Sequence, residues 1–435
     1  MTTWLKARFK PGDILLLIFL LLPLLVAMPR LLGAFNDSAV GWLTLTGRLT
    51  GILGLAMMLL AAMMSIRLPH YDRWFGGLAR LWVVHRFFGF AGFVLVLLHV
   101  ILLAYAALPF SIDAAILRIF PPLAEWPIWA GWLALVCMVI FLGPTFGFVG
   151  RIHYQRWKRL HLFSAPAVIL ALLHAIPIAA ETLVWWLMAV FAIGAIVWRK
   201  VLSPSLGRYR YEVAKVDTLV RGVVEISLKP VDKTMAYEAG QFIYLTPLDS
   251  NLSAGRNEEH PYTISSAPSD EYLKVGIKAL GDASSAIQTV AVGSQVYVEG
   301  PYGDFYERVE PQRKQLWLAG GIGITPFVSG ARDVQNRQGE VSAHLFYLAN
   351  DDQRAYYLDE LMTLGQQVDG LDVTAHYYRK EGPINEAFLR EHCPDFAERE
   401  IYMCGPPAMI HHLRQVFKGL GIPSSRIHSE AFDFL

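Results

Sequence analysis

Residues 81–108, LWVVHRFFGFAGFVLVLLHVILLAYAAL, and residues 159–180, RLHLFSAPAVILALLHAIPIAA, decide how the rest of the chain is read. Each is long enough to cross a hydrocarbon core of about 30 Å as a helix, which takes roughly 17–25 residues. Each also carries two histidines, His85 and His99 in the first and His161 and His174 in the second. Ionisable groups inside a bilayer are costly and mark function by default. One such histidine reads as a packed core residue; four in two spans, paired by depth, point to ligands. His99 follows His85 by 14 residues and His174 follows His161 by 13, which at 1.5 Å per residue is about 21 and 20 Å along a helix. Two neighbouring helices then present His85/His161 at one level and His99/His174 at another. Neutral imidazole binds iron, and a histidine on each side of a porphyrin is a common axial arrangement. Two stacked haems relaying single electrons are the economical reading; a proton path or structural histidines are the alternative. Fourteen residues return to nearly the same helix face, but thirteen leave a mismatch of about 140°. Pro166 lies between His161 and His174, so the expectation is a fifth span kinked there.

Working outward, candidate spans fall near residues 14–33, 42–66, 82–107, 127–148, 159–180 and 182–199. The run from Ile14 follows Lys6, Arg8 and Lys10 in the manner of a signal peptide, but it continues too far and meets no small-residue cleavage site, so an uncleaved span is expected. Of the 435 residues, 54% are hydrophobic and 17% charged, against about 45–50% and 25% in soluble domains. That bias excludes a disordered or nucleic-acid-binding chain. Residues 1–200 hold 16 Lys/Arg and 6 Asp/Glu, while residues 201–435 hold 22 and 31. In the first half 13 of the 16 basic residues cluster at 6–10, 67–86, 151–159 and 199–200. The positive-inside rule puts these loops and both termini in the cytoplasm, giving a multi-pass protein of the cell (inner or plasma) membrane, its lipid bilayer the partner of the apolar half. Arg48 lies within the second span toward its external end, where snorkelling relieves much of the about 2.5–3.5 kcal/mol that a central charge costs. It is a candidate to pair with an outer-haem propionate or to attract an anion formed there. Cys137, Cys393 and Cys404 make no CxxC pair and no disulfide framework, which fits a reduced compartment.

Beyond Ser203-Pro204-Ser205-Leu206-Gly207 the texture changes. YEVAKVDTL, GVVEISLKP, GQFIYLTPL, YLKVGIKAL and QVYVEGPYG are short β-rich runs separated by turn residues, which predicts an antiparallel β-barrel. From about residue 312, strand, glycine turn and helix alternate, which predicts a Rossmann-like α/β domain on a parallel sheet. The expected architecture is a six-helix transmembrane bundle over 1–202, the barrel over 208–308 and the α/β domain over 312–435. LAGGIGITPF (318–327) follows a strand and opens a helix, where glycines let the backbone approach phosphate and the helix N-terminus supplies N–H donors. HPYTISSAP (260–268) offers an aromatic and hydroxyls to a flavin, and GDASS (281–285) opens a helix able to take a pyrophosphate. A tight connection or barrel-edge turns would use the same residues. Asn350-Asp351-Asp352-Gln353-Arg354 supplies both an arginine for a 2′-phosphate and acids that disfavour one; the lean, through Arg354, is to NADPH over NADH.

With VEGPYG (298–303) and Cys404-Gly405-Pro406-Pro407 added, essentially the whole chain resembles the NADPH oxidase / ferric reductase superfamily, in its prokaryotic form with a ferredoxin–NADP reductase-like module. The resemblance implies that His260, Pro261, Tyr262, Thr263, Ser265 and Lys278 contact FAD, with Gly281 and Ser284 at its pyrophosphate. It implies that Gly320, Gly321, Gly323, Thr325, Cys404, Gly405 and Pro406 bind NADPH or NADH. A C-terminal aromatic would cover the flavin, Phe432 rather than Phe434 because it follows Glu430 by two. The catalytic candidates are Arg48, Phe432 and Cys404, and the iron ligands are the four histidines. His260 stands where the wider family has arginine, and a weaker phosphate partner implies loosely held FAD. The unequal histidine spacing looks more like the oxidases than the fungal-type ferric reductases, which favours O2 as acceptor and superoxide as product. No EF-hand loop or regulatory insertion is visible, so no obligate regulatory subunit is expected. Other readings are a metalloreductase acting on external ferric complexes, a membrane channel or anchor whose soluble half reduces a cytosolic partner, and a haem subunit serving a periplasmic repair enzyme.

Overall fold

The computed structural model describes residues 10–146, 154–179, 182–306 and 313–430. The chain divides into two units, one of Phe9–Arg67 with Arg80–Ser205, the other of Leu68–Ala79 with Leu206–Leu435. In hydrocarbon every backbone N–H and C=O must be paired within its own element, which leaves an apolar span little choice but helix. The described residues hold six helical stretches long and apolar enough to cross a membrane, Pro11–Gly33, Ala39–Met63, Leu78–Ala107, Trp126–Thr145, Gln155–Ile178 and Thr182–Leu206.

Helix α1 (Pro11–Gly33) begins on a proline, and its Asp13 carboxylate accepts the Lys10 N–H and pairs with Arg80 at 2.9 Å. Ser38 caps α2 (Ala39–Met63), its Oγ accepting the Gly41 N–H at 3.0 Å. There follow α3 (Leu78–Ala107), the short α4 (Ile112–Ile119), α5 (Trp126–Leu142), α6 (Tyr154–Leu160), α7 (Ser164–Ile178), α8 (Thr182–Val197) and α9 (Ser203–Leu206). The fifth crossing is distorted, but not where the sequence suggests. Pro166 is the third residue of α7, where a helix start leaves N–H groups unpaired anyway, and the break is a 3-10 turn at His161–Phe163. Each residue of such a turn advances about 120° instead of 100°, so three of them recover about 60° of the mismatch between His161 and His174.

In the second unit β1 (Arg208–Val220), β2 (Val223–Pro230), β3 (Phe242–Pro247), β4 (His260–Thr263), β5 (Leu273–Lys278) and β6 (Gln295–Tyr302) form an antiparallel sheet in the order β4-β3-β6-β1-β2-β5. Its edges touch through the Ile264–Val275 bridge and a Ser265 N–H to Lys274 O bond of 2.8 Å, closing a half-barrel over Tyr211, Ile226, Leu245 and Val298. His260–Thr263, which is not among the strands expected from the sequence, is the edge strand; four residues are too few for alternation to show. Helix α10 (Asp282–Ala286) lies between β5 and β6.

The α/β part runs β7 (Gln315–Gly320), α11 (Thr325–Asn336), β8 (Ala343–Ala349), α12 (Leu358–Gln367), β9 (Leu371–Tyr377), α13 (Tyr378–Glu381), α14 (Glu386–His392), β10 (Glu400–Cys404), α15 (Pro407–Gly419) and β11 (Ile427–Glu430). The sheet is parallel, ordered β11-β10-β7-β8-β9. Chain order reverses between β7 and β10, and in open parallel sheets ligands bind beyond the strand C-termini at such a reversal. Six membrane-crossing helices, an antiparallel half-barrel and a parallel α/β domain are the fold that the sequence implies.

The segment Leu68–Ala79 belongs with this second unit. Asp72 is buried, its Oδ2 accepting the Gly303 N–H at 3.4 Å, and Arg73 pairs with Glu238 at 2.9 Å. Burial, with the like charge of Asp304, pushes the Asp72 carboxyl above its ordinary value.

Candidate functional site

In the helical unit His85 and His161 face each other with ring centroids 6.1 Å apart, and His99 and His174 do so at 6.3 Å. Nδ1 of His85, His99 and His174 lies 2.7, 2.7 and 2.9 Å from the carbonyl oxygens of Ala61, Gly47 and Pro127. A carbonyl only accepts, so Nδ1 carries the proton and Nε2 keeps its lone pair. Metal-binding imidazoles are held in this way, one nitrogen anchored and the other presented. His161 differs: its Nδ1 is buried with no hydrogen-bond partner, and the ring packs on Phe141 and Trp157. Two metal–nitrogen bonds of about 2.0–2.1 Å and two imidazole half-widths add to roughly 6 Å, so either pair is spaced to take one ion between its rings. Among the described residues no cluster of three or more His, Cys, Asp or Glu could hold a metal ion. An iron already held in a porphyrin needs only two, and the donor set fits haem.

Glycine makes room for these anchors. A Cβ at Gly51 would stand 2.5 Å from His99 Nδ1, and one at Gly131 would stand 2.9 Å from His174 Nδ1. Each glycine follows by four residues the carbonyl that the imidazole uses, in GRLTG (47–51) and PIWAG (127–131). The sequence reading missed Gly47, Gly51 and Gly131; small residues four apart in a span are the signal that finds Gly47 and Gly51. Arg48, on α2, lines a cleft with Leu31, Asn36 and Thr44, and Arg118 and Arg30 add like charge to it.

In the α/β domain the strand reversal brings together most of the expected nucleotide residues. Gly320 ends β7, Gly321 and Gly323 lie in the 3-10 turn that follows, Thr325 begins α11, and Cys404 ends β10 with Gly405 and Pro406 next. The two turns are in close contact: a Cβ on Gly323 would lie 2.5 Å from the Cys404 carbonyl oxygen. Gly321 sits at φ +56° with open space where a side chain would be, which leaves backbone exposed to a phosphate. Cys404 is itself fully buried in the core, so it offers backbone to this edge. Arg354 lies at the end of β8, 3.9 Å from Asp351, whose other neighbour is Arg379 at 2.9 Å.

The expected flavin residues are more dispersed. His260 is half-buried with Nε2 3.3 Å from Glu258, Pro261 pairs with Tyr244 across the edge, Tyr262 packs on the barrel core and Thr263 is buried. Lys278, at the end of β5, lies 5.9 Å from the Tyr356 ring. The Ser284 hydroxyl accepts the N–H groups of Leu280 and Gly281, both at 2.9 Å, so it is engaged in capping α10. Strand β5 abuts the nucleotide turn, for a Cβ on Gly276 would be 2.7 Å from Thr325 Cγ2. Phe432 and Phe434 lie outside the described residues.

Family models match residues 50–172 as a ferric reductase like transmembrane component, 208–305 as an FAD-binding domain and 317–415 as an oxidoreductase NAD-binding domain. The reductase subunit of glycine betaine monooxygenase from Chromohalobacter salexigens is 30% identical over 45% of this chain, which spans 56% of that relative. Dual oxidase 2 of Rattus norvegicus is 30% identical over 33% of this chain and 10% of its own. The FAD/NAD-binding domain of a nitric oxide dioxygenase from Vibrio cholerae aligns with 52% of this chain and 98% of its own at 23% identity and a TM-score of 0.46. The chain belongs to the NADPH oxidase / ferric reductase superfamily. As a member of that superfamily it is a multi-pass oxidoreductase that joins an FAD- and NAD-binding reductase module to a ferric-reductase-like membrane domain.

This superfamily member also has a buried charged network that the sequence reading missed. Glu225 of β2 accepts hydrogen bonds from Ser265 Oγ at 2.6 Å, Tyr357 Oη at 3.0 Å and Arg332 Nη1 at 3.0 Å. Ser265, expected at the flavin, thus turns its hydroxyl to Glu225. Burial works against the Glu225 carboxylate, but the charge and hydrogen bonds of Arg332 outweigh it and hold its pKa below the ordinary value.

Proposed function

We propose that the chain moves electrons from cytosolic NAD(P)H, by way of FAD and two b-type haems, to an acceptor across the membrane, and that this acceptor is O2, released as superoxide. The observation that carries the reading is the opposition of His85 to His161 and of His99 to His174 at 6.1 and 6.3 Å. The first pair would hold one haem and the second pair the other. The His85/His161 and His99/His174 pairs would hold haem, which would supply single-electron transfer, and FAD in the reductase module would supply the split of a hydride into single electrons.

The chain's own residues supply position and charge. The Gly320–Thr325 and Cys404–Pro406 turns bind the dinucleotide, its phosphates favoured by the N-terminus of α11. His260, Pro261, Tyr262, Thr263 and Lys278 bind the flavin, with Ser265 held on Glu225 behind them, Gly281 and Ser284 toward its pyrophosphate and Phe432 over its ring. Anchored Nδ1 groups fix three of the imidazoles and leave Nε2 free to ligate. The basic loops orient both termini to the cytoplasm, and Arg48 draws the anion formed on the far side.

The experiment is aerobic cytochrome c reduction by purified, FAD-supplemented protein with NADPH, with and without superoxide dismutase. Strong inhibition by the dismutase is expected. A second reading, reduction of anionic ferric complexes, is favoured by the cleft at Arg48 with Arg30 and Arg118 nearby. Cytochrome c reduction indifferent to the dismutase, with anaerobic reduction of ferric citrate, would establish that reading instead. Purified protein without a haem spectrum would end both.

A further inference from the structure

The Glu225 network joins the barrel to the α/β domain beside the contact of Gly276 with Thr325 and Tyr357. Besides Glu225, Arg332 Nη1 donates to the Ser265 carbonyl at 2.9 Å, while Arg332 Nε and Nη2 form a fork on the two Glu360 oxygens at 2.6 and 2.9 Å. One helical turn earlier, Ser329 Oγ donates to the Ser266 carbonyl at 2.7 Å. Each member belongs to a segment with a task. Ser265 directly continues the HPYT edge strand, Arg332 lies on the helix that the glycine turn opens, and Glu360 lies on α12, after the Asp351–Arg354 turn.

The centre of the network is buried and strained, with Glu360 at its half-exposed edge. Ser265 is fully buried, and Glu225, Tyr357 and Arg332 are 6%, 7% and 9% exposed. Tyr357 is held at φ +61°, a left-handed conformation that a bulky residue keeps only when its surroundings fix it. Its hydroxyl reaches Glu225 and lies beside Gly276, next to Thr325. Apolar packing would join two domains more cheaply than buried ions, which must be desolvated, and what a fully satisfied ionic network adds is one fixed geometry.

We propose that Glu225 and Arg332 are positioning residues for flavin reduction: they lock the Thr263–Ser265 segment against α11, and so fix the nicotinamide end of the nucleotide turn relative to the flavin. The inference rests on the reading of this module as an NAD(P)H-to-FAD reductase. Both act through Ser265, Tyr357 and the start of α11.

The test is stopped-flow reduction of FAD by NADPH in the full-length, FAD-loaded chain, comparing wild type with Glu225→Gln, Arg332→Lys and Tyr357→Phe. Glu225→Gln keeps shape without charge, and Arg332→Lys keeps charge without the fork. Both are expected to lower the limiting rate of flavin reduction about tenfold or more, the scale of a small misalignment. The apparent Kd for NADPH and the FAD content should change less than about threefold, because the binding turns remain. Tyr357→Phe, which removes one hydroxyl, should fold even where the charged variants do not and lower the rate about threefold. A rise in Kd with an unchanged rate, loss of FAD, or a fall in melting temperature with unchanged kinetics would overturn the proposal. Wild-type protein whose flavin NADPH does not reduce would overturn the reductase reading itself.

Discussion

His99 and His174 face each other 6.3 Å apart, and each ring donates its Nδ1 proton to the carbonyl that precedes a glycine by four residues. The glycines, not the histidines, therefore set how close each ring stands to its anchor. Gly51→Ala and Gly131→Ala would put a methyl carbon 2.5 and 2.9 Å from Nδ1. Each should reduce haem content from about two per chain toward about one by pyridine haemochrome assay, since losing an anchoring partner costs about 10–100-fold in metal affinity. Gly194→Ala, with open space at its Cβ, should leave haem content unchanged.

The two pairs are not equally supported. His161 has a buried Nδ1 without a partner, while His85 is anchored on Ala61. The His85/His161 site should then hold haem about 10–100-fold more weakly than the His99/His174 site. Titration of haem-free protein with haemin should show two phases, and His161→Ala should abolish only the weaker one. Equal affinities, or loss of the tighter phase in that variant, would refute the ordering.

Asp72 gives a pH dependence with a definite sign. Its folded pKa is raised by burial and by Asp304, so folding favours the protonated form. Its contribution to stability is greatest below the ordinary carboxylate pKa, and it is lost as pH rises through the higher folded value. Asp72→Asn keeps an acceptor for the Gly303 N–H without the charge. The variant should melt about 2–4 °C higher at pH 7.5, the effect of about 1 kcal/mol in a unit of this size, and should lose its advantage near pH 4. A lower melting temperature at both pH values would show that the carboxylate is needed as an ion.

What could be read from the sequence, and what could not, follows range and context. The spans and the four histidines stand out because an ionisable group in an apolar run needs no partner to be noticed. The glycine turn after β7 is local, and so equally visible. The histidine anchors are not, because Ala61 and Gly47 lie 24 and 52 positions away and contribute only backbone oxygen. Glu225 looks like the solvent-facing member of an alternating strand, but the face it occupies meets α11, and Arg332 is 107 positions on. Strand β4 was hidden by its length.

Choice of nucleotide should depend on a residue that the sequence reading passed over. At the end of β8, where the ribose of a bound dinucleotide is read in folds of this type, Asp351 is approached by Arg379 at 2.9 Å and by Arg354 at 3.9 Å. With Asp352 beside Asp351 the charges of the turn cancel, so a 2′-phosphate would be read by an individual guanidinium and not by a net positive field. Arg379 is the better placed, because its closer contact with Asp351 holds the head group for a charged partner. Arg379→Ala should lower kcat/KM for NADPH about 10–100-fold, the value of one or two hydrogen bonds to a charged group, and change that for NADH less than about threefold. Arg354→Ala should act in the same direction but less. If both variants lose NADPH and NADH activity in parallel, the arginines support the fold of the loop and the 2′-phosphate is read elsewhere. If Asp351→Asn raises the NADPH to NADH ratio further, the carboxylate is the group that tolerates NADH, by accepting from its ribose hydroxyl.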